Sequence, residues 1–305
     1  MSTPSALTSA LTTRAFAVLL ALATFTAAQA AHAHSPILEQ FRESGTITMG
    51  YREGALPFSF SDIKGQPSGY AVDLCLRVAE AAREKLGLKD LKVRWLPLTA
   101  QSRVPAVLNG LVTVDCAPNT NTVERQKQVA FSVAHYVSVV RMLVRSDSGI
   151  QSLNDLRGKV VVTSAGSTGD RHVRRLKPQY AFNDVYAKDH NESFLLLETG
   201  RAQAFVLDDV VLYGLRANSK APSQYTVAGP ALSIERNALM LPKSDPEWKQ
   251  LVDQTLTSVF AGPEAVALQK RWFQQPIGAR GINLALTPSP EVLAAWKQPT
   301  DQAAE

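Results

Sequence analysis

Apolar positions change period several times along this chain, and each change marks an element. Thr46-Ile-Thr-Met-Gly-Tyr51 alternates with period two, the pattern of a strand with one covered face. From Tyr70, apolar side chains at Val72, Cys75, Val78, Ala79, Ala82 and Leu86 keep helical spacing until Gly87 ends the run. Lys92–Pro97 predicts a second strand, Val104–Leu108 a short helix ahead of Gly110, and Val112–Cys116 a third strand. The second half repeats this grammar. Lys159–Thr163 is a continuous apolar strand of the kind buried on both faces, followed by a Gly/Ser/Thr turn and a helix from Thr168. Val185–His190 leads into another helix, and Ala204–Leu207 is a strand running into Asp208-Asp209 and a helix. Glu247–Phe260 and Pro263–Phe273 carry amphipathic helical patterns.

Two βα series with no long linker between them predict an α/β chain of two lobes. Val137–Val144 and Ala231–Leu241 are extended, β-branched or apolar stretches suited to crossing between the lobes. On this reading the first lobe comprises residues 36–138 plus 239–300, the second 143–235, and residues 301–305 form a C-terminal tail. The crossovers near Val139–Met142 and Ile234–Leu239 would serve as the hinge. In open α/β sheets ligands bind beyond the carboxyl ends of the strands, which places a site in the cleft between lobes.

The amino-terminal stretch follows other rules. Arg14 precedes an apolar run from Ala15 to Ala28, then Ala28-Gln29-Ala30 offers a small-residue cleavage pattern, with a second at Ala31-His32-Ala33. That order reads as a secretory signal peptide over residues 1–30, with cleavage as late as 33, and implies export to the periplasm. The apolar run falls short of the roughly 20 residues that span a bilayer.

Composition narrows the function classes. Of 305 residues, 45% are apolar and 19% charged, with a net charge of +5, too mild and dispersed for a nucleic-acid partner. Two cysteines exclude a cysteine-rich metal centre, and the scattered histidines give no metal-ligand spacing. No nucleophile elbow, P-loop or dinucleotide fingerprint is present, so no cofactor is called for. Export permits a Cys75–Cys116 disulfide, but two buried thiols satisfy the sequence equally well.

The predicted strand ends carry the candidate chemistry. In the first lobe they place Arg52, Arg103, Pro118, Thr120 and Arg125 at the cleft. In the second they place Ser164, Ser167, Thr168, His190 and the pair Asp208-Asp209. Ser164, Ser167 and Thr168 also suit turn and capping roles, and one of the two aspartates is expected to cap the following helix. Phe58 fits either a ligand cover or the core, and Asp73 a structural role.

Asn119-Thr-Asn-Thr-Val-Glu-Arg125 followed by Val129-Ala-Phe-Ser132 resembles the Thr…Glu-Arg…Phe-Ser signature of the family 3 periplasmic solute-binding proteins, the amino-acid receptors of ABC importers. Gly69-Tyr-Ala-Val-Asp-Leu74 and Pro57-Phe-Ser-Phe60 are similar to further elements of that family. Leu98–Arg103, Ala187–His190 and Leu207–Asp209 resemble its glutamate/aspartate-binding branch. The resemblance implies a type II, Venus-flytrap fold, a monomer, and transient docking on a membrane ABC permease. It implies that Arg125 and Thr120 hold a ligand α-carboxylate, supplemented by Ser164 and Ser167, and that Asp208 accepts the ammonium. Arg52, Arg103 and His190 then exceed what a plain zwitterion neutralises, and a second, distal carboxylate on the ligand accounts for them. The expected ligand is therefore an acidic amino acid. A dehydratase on the same fold, resembling cyclohexadienyl dehydratase, and a sensory receptor for the same ligand class are the alternatives. Two positions depart from the branch. Ala100 and Pro118 stand where its members carry serine, removing a hydroxyl at each and an N–H at Pro118.

Overall fold

A computed structural model of the chain describes residues 35–304 except 279. The signal peptide expected over residues 1–33 lies outside the described residues. The chain opens on α1 (Pro36–Ser44), which the sequence pattern did not anticipate, although its local signals are strong. Ser35 caps it by accepting from the Leu38 N–H, Pro36 takes the first helical position, and Gly45 closes it with φ +61°.

Beyond Gly45, β1 (Thr46–Tyr51) leads through three short strands, β2 (Gly54–Ala55), β3 (Ser59–Ser61) and β4 (Pro67–Ser68), to α2 (Tyr70–Lys85). Next come β5 (Lys92–Pro97), α3 (Arg103–Leu108), β6 (Val114–Thr120), the single turn α4 (Val123–Gln126) and β7 (Ala130–Phe131). The long strand β8 (Tyr136–Arg145) passes into β9 (Val160–Ser164), α5 (Thr168–Tyr180), β10 (Asn183–Ala187), α6 (His190–Glu198), β11 (Ala204–Asp208), α7 (Asp209–Asn218) and β12 (Tyr225–Ala228). The return strand β13 (Ile234–Leu241) is followed by α8 (Pro246–Ala261), α9 (Pro263–Gln269) and α10 (Pro290–Lys297). The helix expected over Pro263–Phe273 divides, ending as a π turn at Lys270–Gln274.

The fold is two-lobed, and one backbone sheet in the order β10-β9-β11-β8-β13-β6-β1-β5 runs through both lobes. In one half β1 lies parallel to β5 and β6; in the other β9 lies parallel to β10 and β11. The two central strands are antiparallel and change partners midway. β8 pairs with β13 over Tyr136–Val139 and with β11 from Val140 onward. β13 leaves β8 at Asn237 and pairs with β6.

That pairing explains why β6 runs four residues beyond the expected Cys116. Asn237 and Ala238 pair with Thr120 and Asn119, and the register then shifts before Met240 meets Asp115. Pro118, which has no N–H to give a ladder, sits inside the shift.

Apolar side chains fill both faces of each half. Leu38, Phe41, Ile47, Tyr70 and Trp248 pack on one face of the first lobe; Val107, Val112, Phe131 and Met240 pack on the other. Phe58 belongs wholly to the core, set edge-on to Tyr136 at 5.0 Å and to Phe273 at 5.6 Å. Asp73 is structural, accepting from the Trp272 indole N–H at 2.7 Å and from Arg271 at 3.1 Å. Cys75 and Cys116 are joined as a disulfide that ties α2 to β6 across 41 residues of sequence. Residues 301–304, expected as part of a tail, pack back on the first lobe: the Ala304 N–H donates to the Asn121 carbonyl at 2.9 Å, and the Asp301 carbonyl accepts from Asn121 Nδ2 at 2.7 Å.

The lobes approach closely. Gly166, at φ +78° on the second lobe, lies so near the first that an added Cβ would stand 2.9 Å from the Gln101 Cα. A Cβ on Gly214 of α7 would overlap the Leu56 carbonyl of the first lobe.

Two outcomes follow from these contacts. Closing a loop of 41 residues contributes about 4 kcal/mol in the chain-entropy account, so the Cys75→Ala/Cys116→Ala double variant should lose about 2–4 kcal/mol of unfolding free energy in urea titrations against the oxidised protein. Gly214→Val should hold the lobes apart, seen as a larger radius of gyration in solution scattering with an unchanged far-ultraviolet dichroism spectrum; an unchanged radius would show that this approach does not limit closure.

Candidate functional site

Three arginines project from the ends of first-lobe elements. Arg52 follows β1 directly and is only 4% exposed. Its Nη2 donates to Asp115 Oδ2 at 2.8 Å and to Asn119 Oδ1 at 3.1 Å, and its Nη1 to Asp115 Oδ1 at 3.3 Å and the Leu98 carbonyl at 3.2 Å. Asp115, fully buried on β6, therefore neutralises Arg52 through a two-pronged pair. This corrects the charge argument drawn from sequence: Arg52 is no surplus cation. An acid within a buried strand is itself a signal, because an unpaired carboxylate is almost never tolerated there.

Arg103 opens α3 and is 5% exposed. Its Nη1 shares Asn119 Oδ1 at 3.1 Å, its Nη2 reaches the Gly166 carbonyl at 3.4 Å, and its Nε has no partner. Among the described residues no carboxylate pairs with it. Burial, then the neighbouring Arg125 and Arg52, hold its pKa well below the usual arginine value. Arg125 is half-buried on α4, donating from Nη1 to the Thr120 carbonyl at 2.8 Å and from Nη2 to the Gly166 carbonyl at 3.0 Å. Burial lowers its pKa to about 10, with Glu235 and Asp208 opposing. Gly166 thus receives two first-lobe guanidiniums on one second-lobe carbonyl. Asn119, not singled out from sequence, is the acceptor common to Arg52 and Arg103; its Nδ2 is fixed by the Asp115 and Ala117 carbonyls at 3.2 Å.

From the second lobe, Asp208 ends β11 and is 7% exposed. It makes no cap to α7, and its Oδ1 has no hydrogen-bond partner. Asp209 takes the local backbone instead, accepting from Val210 at 2.8 Å and Val139 at 3.2 Å. Of the two adjacent acids, Asp209 therefore serves the local backbone and Asp208 does not. Burial first, then Glu235 and Asp209, raise the Asp208 pKa well above the usual carboxyl range, while Arg103 opposes.

The other expected residues fall in different places. Ser167 caps α5 by accepting from the Asp170 N–H at 3.1 Å, so its hydroxyl serves the capping role. Ser164 lies against His190 Nδ1 at 2.7 Å and Ser193 Oγ at 2.8 Å. Burial, with Arg52 and Arg103 nearby, lowers the His190 pKa to about 3, leaving a neutral imidazole. Pro118 is buried on β6 beside Asn119.

The largest omission from the sequence reading is Glu235. This residue begins the β13 crossover and is 2% exposed. Its Oε2 accepts the hydroxyls of Thr120 and, at 2.7 Å, Thr168; its Oε1 accepts from Ser233 at 3.1 Å. The cleft therefore holds the buried Arg52, Arg103, Asp115, Asp208 and Glu235 with the half-buried Arg125. Two cavities flank this cluster, one of about 250 Å³ touching Arg52, Ala100 and His190, the other of about 420 Å³ touching Thr120, His172 and Glu235.

Residues 47–275 match the model of the bacterial extracellular solute-binding proteins, family 3. The chain is 42% identical over 271 residues to the L-glutamate/L-aspartate-binding protein of Pseudomonas aeruginosa, covering 88% of this chain and 90% of that protein. It is 37% identical over 276 residues to the glutamate/aspartate import solute-binding protein of Escherichia coli (strain K12), covering 90% of this chain and 91% of that one. Among solved structures it is similar to a mutant of ArgBP from T. maritima, with TM-score 0.70, 26% identity, and coverage of 77% of this chain and 98% of that one. The cysteine-binding protein of Campylobacter jejuni shares the fold, with TM-score 0.69, 24% identity, and coverage of 77% and 92%. With these matches spanning nearly all the described residues and the two-lobed sheet in agreement, the chain belongs to family 3 of the bacterial extracellular solute-binding proteins.

Proposed function

We propose that this protein is a periplasmic receptor that closes on glutamate or aspartate and presents it to a membrane ABC permease. The observation that carries the reading is Arg103, a buried guanidinium with no carboxylate of its own and one unpartnered N–H. A buried unpaired ion costs several kcal/mol, and a ligand carboxylate removes that penalty. Asp208 Oδ1, buried and without a donor, is the complementary acceptor for an ammonium group.

The residues take these roles. Arg125, with Thr120 and Thr168, holds the α-carboxylate, and Asp208 takes the ammonium. Arg103 takes the distal carboxylate, steadied through Asn119 by the Arg52–Asp115 pair, with the neutral His190 and Ser164 as hydrogen-bonding neighbours. Ligand bridging of lobes 36–138 plus 239–300 and 143–235 favours the closed form by its differential affinity for that form. The task is binding and release rather than bond chemistry, performed by a monomer exported with its leader removed. The names of the P. aeruginosa and E. coli relatives support the ligand class.

In a thermal-shift panel of amino acids, glutamate and aspartate should raise the melting temperature well above the shifts from glutamine, asparagine, lysine or leucine, because only a ligand of the folded state stabilises it. An equal shift with glutamine would remove the distal-carboxylate assignment. Arg103→Ala should weaken glutamate binding by about 2–5 kcal/mol by calorimetry. The same variant should unfold at equal or higher urea concentration, since its removal relieves a buried cation whose folded pKa is depressed.

A further inference from the structure

A carboxamide sits between two cations at the end of β6, and all of its bonding capacity is in use. Asn119 is fully buried. Its Oδ1 accepts from Arg52 Nη2 and from Arg103 Nη1, each at 3.1 Å, and its Nδ2 donates to the Asp115 and Ala117 carbonyls, each at 3.2 Å. An amide has two lone pairs on oxygen and two hydrogens on nitrogen, so nothing remains for a ligand to bond. The carbonyls on one side require donors, and the guanidiniums on the other require an acceptor. A carboxylate offers no donor to the carbonyls, and a hydroxyl has only one hydrogen for the two of them.

Charge gives this amide its consequence. Hydrogen bonds join Arg52, Asp115, Asn119 and Arg103 into one network on the first lobe, with two guanidiniums and a single carboxylate. Asp115 is committed to Arg52 through both oxygens, so the network leaves the charge of Arg103 unmatched. Arg52, Arg125, Asp115 and Asp208 face Arg103, and His190 faces both Arg52 and Arg103. Among the described residues neither Asp115 nor Asp208 forms an ion pair with Arg103. A carboxylate at position 119 would have almost the shape of the amide and would supply that counter-charge. The amide withholds it while still fixing Nη1, and Nη2 reaches across the cleft to the Gly166 carbonyl at 3.4 Å.

We infer that Asn119 is a positioning residue that sets ligand preference: it holds Arg103 at the cleft with a neutral acceptor and so reserves the guanidinium charge for the distal carboxylate of an acidic amino acid. This rests on the acidic-ligand reading above and adds the reason that the charge stays available. Asn119 itself does not touch the ligand, because both of its polar atoms are already saturated. With a resident carboxylate in its place, Arg103 would be paired before any ligand arrived, and a ligand carboxylate would have to compete for it.

Calorimetric titration of the wild-type protein, Asn119→Asp and Asn119→Leu with L-glutamate, alone and in competition with L-glutamine, gives the ratio of the two Kd values for each folded protein. Asn119→Asp should weaken glutamate binding about a hundredfold and lower the glutamine-to-glutamate Kd ratio about tenfold. It should also unfold at lower urea concentration, since its second oxygen faces two carbonyls. Asn119→Leu brings no charge, so it should weaken glutamate about tenfold as Arg103 loses its fixed position, with the ratio held within about threefold of wild type. Unchanged glutamate affinity in Asn119→Leu overturns the positioning role. A ratio that collapses in Asn119→Leu overturns the assignment of preference to charge, and both of these readings stand even where Asn119→Asp does not fold. An unchanged ratio in a folded Asn119→Asp overturns that assignment as well. Wild-type protein that binds neither glutamate nor aspartate overturns instead the function on which the inference rests.

Discussion

The two-pronged pairing of Arg52 with Asp115 underlies the rest of the cleft. Both groups are withdrawn from water on the first lobe, and the pair fixes Asn119, whose single side-chain oxygen serves Arg52 and Arg103 together. Breaking such a pair by removing one partner strands the other charge in a medium that cannot solvate it. Arg103 is consequently not a free side chain that happens to reach the cleft. It is a cation whose position is set by a neighbour that already has its counterion, which leaves Arg103 as the one available for a carboxylate.

The second lobe meets this frame through backbone as much as through side chains. Gly166 offers one carbonyl to both Arg103 and Arg125, and its left-handed conformation and close approach to Gln101 require the absence of a Cβ. β13, a crossover strand, carries Glu235 into the same region, so hydroxyls from β6 and α5 converge on a residue that belongs to the connection itself.

Much of this was legible beforehand, for identifiable reasons. β1 and β5 have the residue limits their alternation predicts, because each is paired in parallel along its whole length. β6 does not, since its last four residues are defined by pairing with β13 at a sequence distance no local pattern reports. Helix α10 near the end of the chain was missed for a similar reason: its Val292 and Trp296 have meaning only against the core they cover. At the candidate site, the arginines, Asp208 and His190 were singled out through motifs on strand ends. Asp115 and Glu235 were not, because each is a lone acid amid apolar or mixed neighbours and its partner lies at a distance in sequence. Omitting Asp115 counted Arg52 as a surplus cation, which its pairing shows it is not. Ser167 shows the opposite error, a polar residue at a strand end that satisfies its own helix.

The first lobe is assembled from both ends of the chain, with Trp248 of α8 set edge-on to Phe41 of α1 at 5.3 Å, whereas the strands and helices between Val140 and Ala228 are contiguous. As the chain emerges amino terminus first into its folding compartment, the second lobe can complete its packing while the first still lacks the segment that carries Trp248. The Cys75–Cys116 bond needs only early residues, so oxidation can staple the unfinished lobe and hold α2 against β6 until the carboxyl-terminal helices arrive.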